Sequence, residues 1–514
     1  MHLRALVVAA LVVSPSSLAA QPTYTNPTLP GDHPDPSVIR VGDDYWATAT
    51  TSQWAPIFPL LHSRDLVNWE QVGAVFETPP AWSAGSYWAP EIAHDGKRFF
   101  IYYTARRKNG PLCVAVATAS RPQGPYRDHG PMVCQDVGSI DAVAATDEHG
   151  QRYLVWKEDG NSKKLPTPLW AQRLSADGTQ LVDPRHELLR NEAPWEAHLI
   201  EGPFILRRGD WFYMFYSADA CCGPKCNYKL GVARSRKLLG PWERQPANPV
   251  LAGNDTWKCP GHGSIVTTPA GKDYLLYHAY DPDDFQFAGR QGLLDEITWG
   301  ADGWPSINGG RGPTERAASP LGIDQRDRSR EFFDDLSGPA LRQGWQWPWD
   351  RAPARRFVDG ALALRTSTRA DESAIDTVVA RPTLTGDYTA TARIVESRGA
   401  DEGIVGIAAY GDPENAIGIS RSGANVFVWM REKGKQRTLA TAPVKGPALD
   451  LRIVAADGRR FRFAYSTNGR EWRTLGEAEG GYLPPWDRAV RVALAVGGKP
   501  NSEGLFESVR IETR

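Results

Sequence analysis

Five glycine-marked turns recur at near-even spacing through residues 35–281, at Gly42, Gly96, Gly150, Gly209 and Gly271. Each is followed by an aromatic run: DYWATATT, KRFFIYYTA, QRYLVWKED, DWFYMFYSA and KDYLLYHAY. Shortly before each turn stands a side chain capable of acid–base chemistry: Asp35, Glu91, Asp141, Glu201 and His262. Hairpin turns account for the glycines, which accept positive φ without steric cost. A second apolar run and a polar turn complete every unit, with Ser63, Ser120, Ser175 and Ser235 in phase and Gly300 at the fifth place. That makes about four short strands per unit, as in a propeller blade. A β-sandwich whose strands merely look periodic is the alternative, but both halves of the unit keep phase. A long fixed period means stacked copies of one supersecondary unit. The pattern therefore predicts an all-β chain built on a five-bladed β-propeller, with five polar side chains brought to one axis.

At 514 residues the chain exceeds one domain. From about Phe332 the five-fold pattern gives way to short alternating segments such as ALALRTS, YTATARIV, NVFVWMR and RFRFAYS. These predict a second all-β unit, a jelly-roll-like β-sandwich. The expected division is a signal peptide over 1–20, the propeller over 21–314, a polar linker over 315–330 and the sandwich over 331–514. The amino-terminal segment has a weakly basic start, a short apolar core and small residues before Gln21, as a secretory signal does. No other apolar run is long enough to span a bilayer. The expected location is extracytoplasmic, periplasmic or secreted.

Six cysteines in an oxidising compartment are expected to pair. Cys113 and Cys134 flank the Gln123-Gly124 turn symmetrically, while Cys221, Cys222, Cys226 and Cys259 form a second group. Cys222, Cys226, Cys259 and His262 also have the outline of a zinc set, an alternative disfavoured because exported thiols oxidise. A net charge of −1 with mixed signs gives no basic stripe, which argues against nucleic acid as a partner. Nineteen Trp and 17 Tyr exceed what strand filling needs and suit a carbohydrate binder, since sugar C–H faces stack on aromatic rings. Trp345, Trp347 and Trp349 offer a sugar platform or, the preferred reading, an edge packed on the propeller or the sandwich core.

The segments NPTLPGDHPDPSVIR, HSRDLVNW, SYWAPEI, GSIDA, EGPFI, GHGSIV and GRQGLLDEITWGADGWP, in this order and at one position per blade, resemble glycoside hydrolase family 43. The resemblance implies a five-bladed propeller that cleaves arabinose- and xylose-containing plant cell-wall oligosaccharides or polysaccharides with inversion. The carboxy-terminal region resembles, more loosely, the sandwich appended to exo-acting members. Inversion needs one carboxylate to activate water and one carboxylic acid to protonate the leaving oxygen, about 6.5–9.5 Å apart.

By resemblance Asp35 is the base and Glu201 the acid. Asp141 is the carboxylate that raises the pKa of Glu201 by like-charge repulsion. Trp88 is assigned to sugar stacking, Arg290 to pairing with a catalytic carboxylate and a sugar hydroxyl, and Trp54 to an aromatic rim. Glu91 is either pocket-lining or structural. No cofactor is required, although His262 resembles an axial histidine that holds calcium in family members. The expected activity is an exo-glycosidase releasing L-arabinofuranose or D-xylose. An endo-arabinanase or exo-galactanase of the same family, and a non-catalytic carbohydrate-binding propeller, are the alternatives.

Overall fold

The structure, a computed structural model, describes residues 21–284, 287–368, 375–398, 403–479 and 489–513. The expected signal peptide, residues 1–20, lies outside them. The architecture is all-β. Five four-stranded antiparallel sheets follow one another in chain order, each with its first strand innermost: Ser37–Val41, Trp88–His94, Ser139–Thr146, Ile200–Arg208 and Lys258–Thr267. The five turn glycines all have positive φ, from 59° at Gly209 to 86° at Gly96, and an added Cβ would meet nothing. Backbone conformation, not space, selects glycine there.

The aromatic second strands are buried on both faces because each blade lies between two others. In Phe99–Arg106, residues Phe99, Ile101 and Tyr103 face blade 1, packing with Ile57, Phe58 and Leu60. Phe100 and Tyr102 face blade 3, packing with Leu154 and Trp156. The hydrophobic core is thus distributed among the gaps between blades, including the gap between blades 5 and 1, where Val38 and Leu61 meet Leu276 and Leu294. The ring is closed by the strap before blade 1. Leu29 exchanges two backbone hydrogen bonds with Gly292, and the Asn26 side chain both donates to and accepts from the backbone of Leu294.

The second unit is a sandwich of two antiparallel sheets, one running from Ala354–Val358 to Arg473–Glu479 and the other including Ile375–Pro382, Arg491–Gly497 and Ile404–Asp412. Within the stretch expected as a linker, Arg316–Ala318 forms a strand with Thr23–Thr25. The tryptophan cluster is structural. Trp345 is buried in the sandwich core, Trp347 packs into the gap between blades 1 and 2, and Trp347–Pro348 pairs with Trp54–Ala55. All six cysteines are bridged, as Cys113–Cys134, Cys221–Cys222 and Cys226–Cys259, so no thiolate remains for zinc.

The two units are pinned together by a buried ion pair between Arg491 and Asp32 at 3.3 Å, with side chains 2% and 10% exposed. Arg491 also stacks over Trp54 and donates to Gln346. Removing one partner of a buried pair leaves the other charge uncompensated, at a cost of about 3–5 kcal/mol. Arg491→Met is expected to lower the denaturant midpoint accordingly, and a midpoint unchanged in guanidinium melts would show the pair to be dispensable.

Candidate active site

At the inner end of each innermost strand, just before it or within its first five residues, stands a residue in the left-handed region: Asp35 (φ 50°), Ala89 (42°), Asp141 (59°), Gly202 (55°) and His262 (42°). A register shift accompanies this kink in blades 2 to 5. The kink turns an N–H out of the ladder and into the protein, where it needs an acceptor. The preceding blade supplies it. The N–H of Ala89 donates to Thr50 Oγ1 at 2.7 Å, Asp141 to Thr104 Oγ1 at 3.2 Å, and His262 to Ser217 Oγ at 2.8 Å. The N–H of Asp35 donates to His278 Nδ1 at 3.1 Å, closing the ring.

This corrects the expected symmetry. Asp35, Asp141 and His262 are true phase-mates, but Glu91 lies two residues beyond its blade's kink and Glu201 one residue before it. The displacement gives each a different environment. Glu91 lines a cavity of about 10 Å³ together with Asp35, Asp141 and His262, room for about one water. Burial there pushes its carboxyl up to about 8. Glu201 instead sits in the wall between blades 3 and 4. Its blade's kink falls on Gly202, where a Cβ would stand 2.9 Å from the His262 ring.

Above the axis a cavity of about 440 Å³ is lined by Asp35, Asp141, Glu201, His262, Arg290 and Trp88, with Lys157, Asp159 and the Cys221–Cys222 bridge among the further walls. No described residue of the sandwich lines it. Asp35 accepts from Arg290 Nη1 at 2.9 Å and from Thr50 Oγ1 at 2.7 Å. Burial would raise its carboxyl, but Arg290 and then His262 outweigh that and hold it far below the usual carboxylate range. Asp141 lacks such a partner. Burial and the nearby Glu201 push it up to about 7, against the pull of His262 and Lys157.

Glu201 departs from expectation. Burial favours its neutral form, yet Lys157 Nζ at 2.7 Å from Oε2, His262 and a hydrogen bond from Tyr228 to Oε1 at 2.9 Å hold its carboxyl below the usual value. Repulsion from Asp141 was expected to raise Glu201. The lysine prevails, and the raised carboxyl is Asp141.

Trp88 and Arg290 stand in the cavity as expected. Trp54 does not. It is 3% exposed and packed against Tyr410 and Trp429 of the sandwich, because the short strand that carries it pairs outward with Trp347–Pro348. It packs where the propeller meets the sandwich and does not line the axial cavity. His262, like Asp35 and Asp141, lines both cavities, with Nδ1 at 3.5 Å from Asp35 Oδ1 and 3.9 Å from Asp141 Oδ2. Calcium prefers six to eight oxygen ligands. Among the described residues no group of three His, Cys, Asp or Glu side chains is placed to hold an ion. Both oxygens of Asp35 already accept from protein donors, so the donor set does not fit a protein-ligated calcium.

Sequence reasoning missed Lys157, Tyr228, Thr50 and His278, which hold the carboxylates. Aligning the five aromatic runs would have found three of them, because Thr50, Thr104, Lys157, Ser217 and His278 fall at one place in the repeat.

Fold and site together define a propeller with an acid–base pocket at its axis. Residues 24–305 match the sequence model for glycosyl hydrolases family 43, and residues 334–485 match the beta xylosidase C-terminal Concanavalin A-like domain. The chain belongs to glycosyl hydrolases family 43. It is 30% identical over 370 residues to Xylosidase/arabinosidase 43B of Humicola insolens, covering 67% of this chain and 66% of that one. It is 28% identical over 361 residues to Non-reducing end alpha-L-arabinofuranosidase BoGH43B of Bacteroides ovatus, covering 66% and 63%. The matches thus span slightly less than two thirds of those relatives. Among solved structures, the GH43 BlXynB protein from Bacillus licheniformis has a TM-score of 0.83 at 25% identity, covering 96% of this chain and 100% of that one.

Thr50 both caps blade 2 and donates to Asp35, so Thr50→Val strands a buried N–H and removes one of the donors to the carboxylate. Unsatisfied buried groups cost about 1–3 kcal/mol. Urea melts should show a loss of that order for Thr50→Val and a much smaller one for Thr50→Ser.

Proposed function

We propose that the protein is an extracytoplasmic, inverting exo-glycosidase that releases L-arabinofuranose or D-xylose from plant hemicellulose such as arabinoxylan. One observation carries this reading. A single pocket holds one carboxylate ionised by Arg290 and, in the same lining, a carboxyl pair that retains a proton to about pH 7. A displacement that needs a base and an acid at the same pH requires such a separation of protonation states. Asp35 takes a proton from water as that water attacks the anomeric carbon. Glu201 gives its proton to the departing glycosidic oxygen on the other side, and Asp141 shares the charge of the acid. Trp88 stacks on the bound sugar, and Arg290 both fixes Asp35 and reaches a hydroxyl. The three disulfides and the leader-like amino terminus support export, and the names of the related proteins support the pentose substrates and action at a chain end.

A second reading is favoured by the protonation pattern itself: Asp141, the carboxyl that is neutral below about pH 7, delivers the proton directly. Leaving-group dependence separates the two. An acid matters in proportion to the basicity of the group that departs. Glu201→Ala is expected to lose nearly all activity on xylan-derived oligosaccharides and far less on a dinitrophenyl glycoside, while Asp35→Ala fails on both. The leaving-group signature appearing in Asp141→Asn and not in Glu201→Ala would transfer the acid to Asp141. Proton NMR of early product should show the anomer opposite to the substrate, and retention would remove the inverting assignment.

The pH dependence follows from the signs. Asp35 stays charged through the usual carboxylate range, so kcat/KM on oligosaccharides should show no acidic limb there. It should fall as pH rises through about 7, where the Asp141–Glu201 pair loses its proton. A limb near pH 4 with none near 7 would contradict the assignment.

A further inference from the structure

In one blade the cap comes from a different place in the repeat, and that blade is the one that carries Glu201. Thr104 is the register partner of Trp88, Ser217 of Glu201 and His278 of Gly261. Each caps the kink of the following blade. In blade 3 the same place, opposite Ile140, is held by Lys157. An ammonium only donates and cannot accept an N–H. The orphaned N–H, that of Gly202, goes instead to Asp141 Oδ2 at 3.0 Å. Lys157 is 1% exposed and turns its Nζ to Glu201 Oε2 at 2.7 Å and to Asp159 Oδ1 at 2.9 Å. One substitution in a repeated position therefore ties Asp141 to the backbone next to Glu201 and places a buried cation on Glu201 itself.

We propose that Lys157 is a positioning residue that controls when Glu201 carries a proton: bridging Glu201 and Asp159, it keeps Glu201 ionised in the empty pocket and shifts to Asp159 when a glycosidic oxygen takes its place at Oε2. This rests on the reading of Glu201 as the acid. Lys157 remains an ammonium throughout and changes only its acceptor. The proton that Glu201 takes up from solvent is the one passed to the leaving oxygen. The other ionisable groups facing Glu201 are Asp141 from blade 3, Tyr228 from blade 4 and His262 from blade 5. Of these, Tyr228 and His262 stabilise the carboxylate as Lys157 does, but Lys157 is the largest stabilising influence and has a second carboxylate within reach. Asp159 and Lys157 both line the cavity, so an incoming sugar meets this bridge directly.

The fold itself supplies the test variant. Lys157→Thr installs the hydroxyl that blades 1 and 2 already use, giving Gly202 a cap like those of Ala89 and Asp141. Lys157→Met keeps the length of the side chain without its charge. kcat/KM would be measured against pH on a xylo- or arabinoxylo-oligosaccharide and on a dinitrophenyl glycoside. Both variants should move the basic limb on the oligosaccharide upward by about one pH unit or more, since loss of an adjacent cation raises a carboxyl. The dinitrophenyl profile, which needs no acid, should move little. A uniform loss of rate at every pH, equal on the two substrates, would reduce Lys157 to packing and overturn the proposal. The same displacement is readable without turnover, by carbon NMR titration of the Glu201 carboxyl, assigned with Glu201→Gln. An upward-shifted titration in both variants supports the proposal, and an unshifted one overturns it. A wild type that hydrolyses no glycoside, with both variants still showing the shift, would count against the proposed function and not against the role of Lys157.

Discussion

Everything at the axis depends on satisfying one backbone N–H per blade. A strand that kinks into the left-handed region as it reaches the axis frees a donor where water has little access, and a buried donor without a partner is costly. In all five the previous blade answers with a side-chain acceptor, in four of them from one place after the aromatic run, Thr50, Thr104, Ser217 and His278, and in blade 4 from Asp141 on the innermost strand of blade 3. The placement of Asp35 is therefore set by blade 5 as much as by its own strand. His278 accepts the Asp35 N–H, and burial lowers its imidazole to about 4, so it stays neutral and able to accept. Arg290, from the same blade, reaches the carboxylate.

The electrostatics of the pocket follow from who lacks a partner. Asp35, Asp141, Glu91 and Glu201 are all buried acids within a small volume, and burial raises every one of them. Asp35 has an arginine and Glu201 a lysine, and both stay ionised. Asp141 and Glu91 have hydrogen-bonding neighbours but no arginine or lysine in contact, and both are pushed toward the neutral form. Two cations thus sort four chemically similar groups into two states, and the sorting is set by position on the repeat and not by residue type.

Much of this was legible in the sequence. The turn glycines, the doubly buried aromatic strands and the change to alternating segments after Phe332 specify blades and sandwich because φ and periodicity are local properties. The candidate carboxylates were legible too, as was the closeness of Cys113 to Cys134. The phase of Glu91 and Glu201 was not, because a bulge of one or two residues is invisible when only spacing to a turn is counted. Trp54 failed for a different reason. Its surroundings include Tyr410 and Trp429, hundreds of residues away, and nothing near it in the chain distinguishes a docking tryptophan from a pocket rim. Lys157 was readable in principle, as the one cation in a column of Thr, Ser and His, but only once the strands were aligned on their inner ends.

The loop after Ala218 bears on how a ligand is received. Cys226–Cys259 fastens it to the innermost strand of blade 5, and Cys221–Cys222 closes a ring between adjacent residues in the cavity wall. Mobile walls lose rotamer and loop freedom when they close on a guest, roughly 0.5–1.5 kcal/mol for each side chain immobilised. Here that ordering is completed during oxidative folding, before any guest arrives. The wall can add to affinity with little entropic opposition, but it cannot remould itself. A wall so stiffened selects a guest by fit to its existing shape and not by reshaping around it.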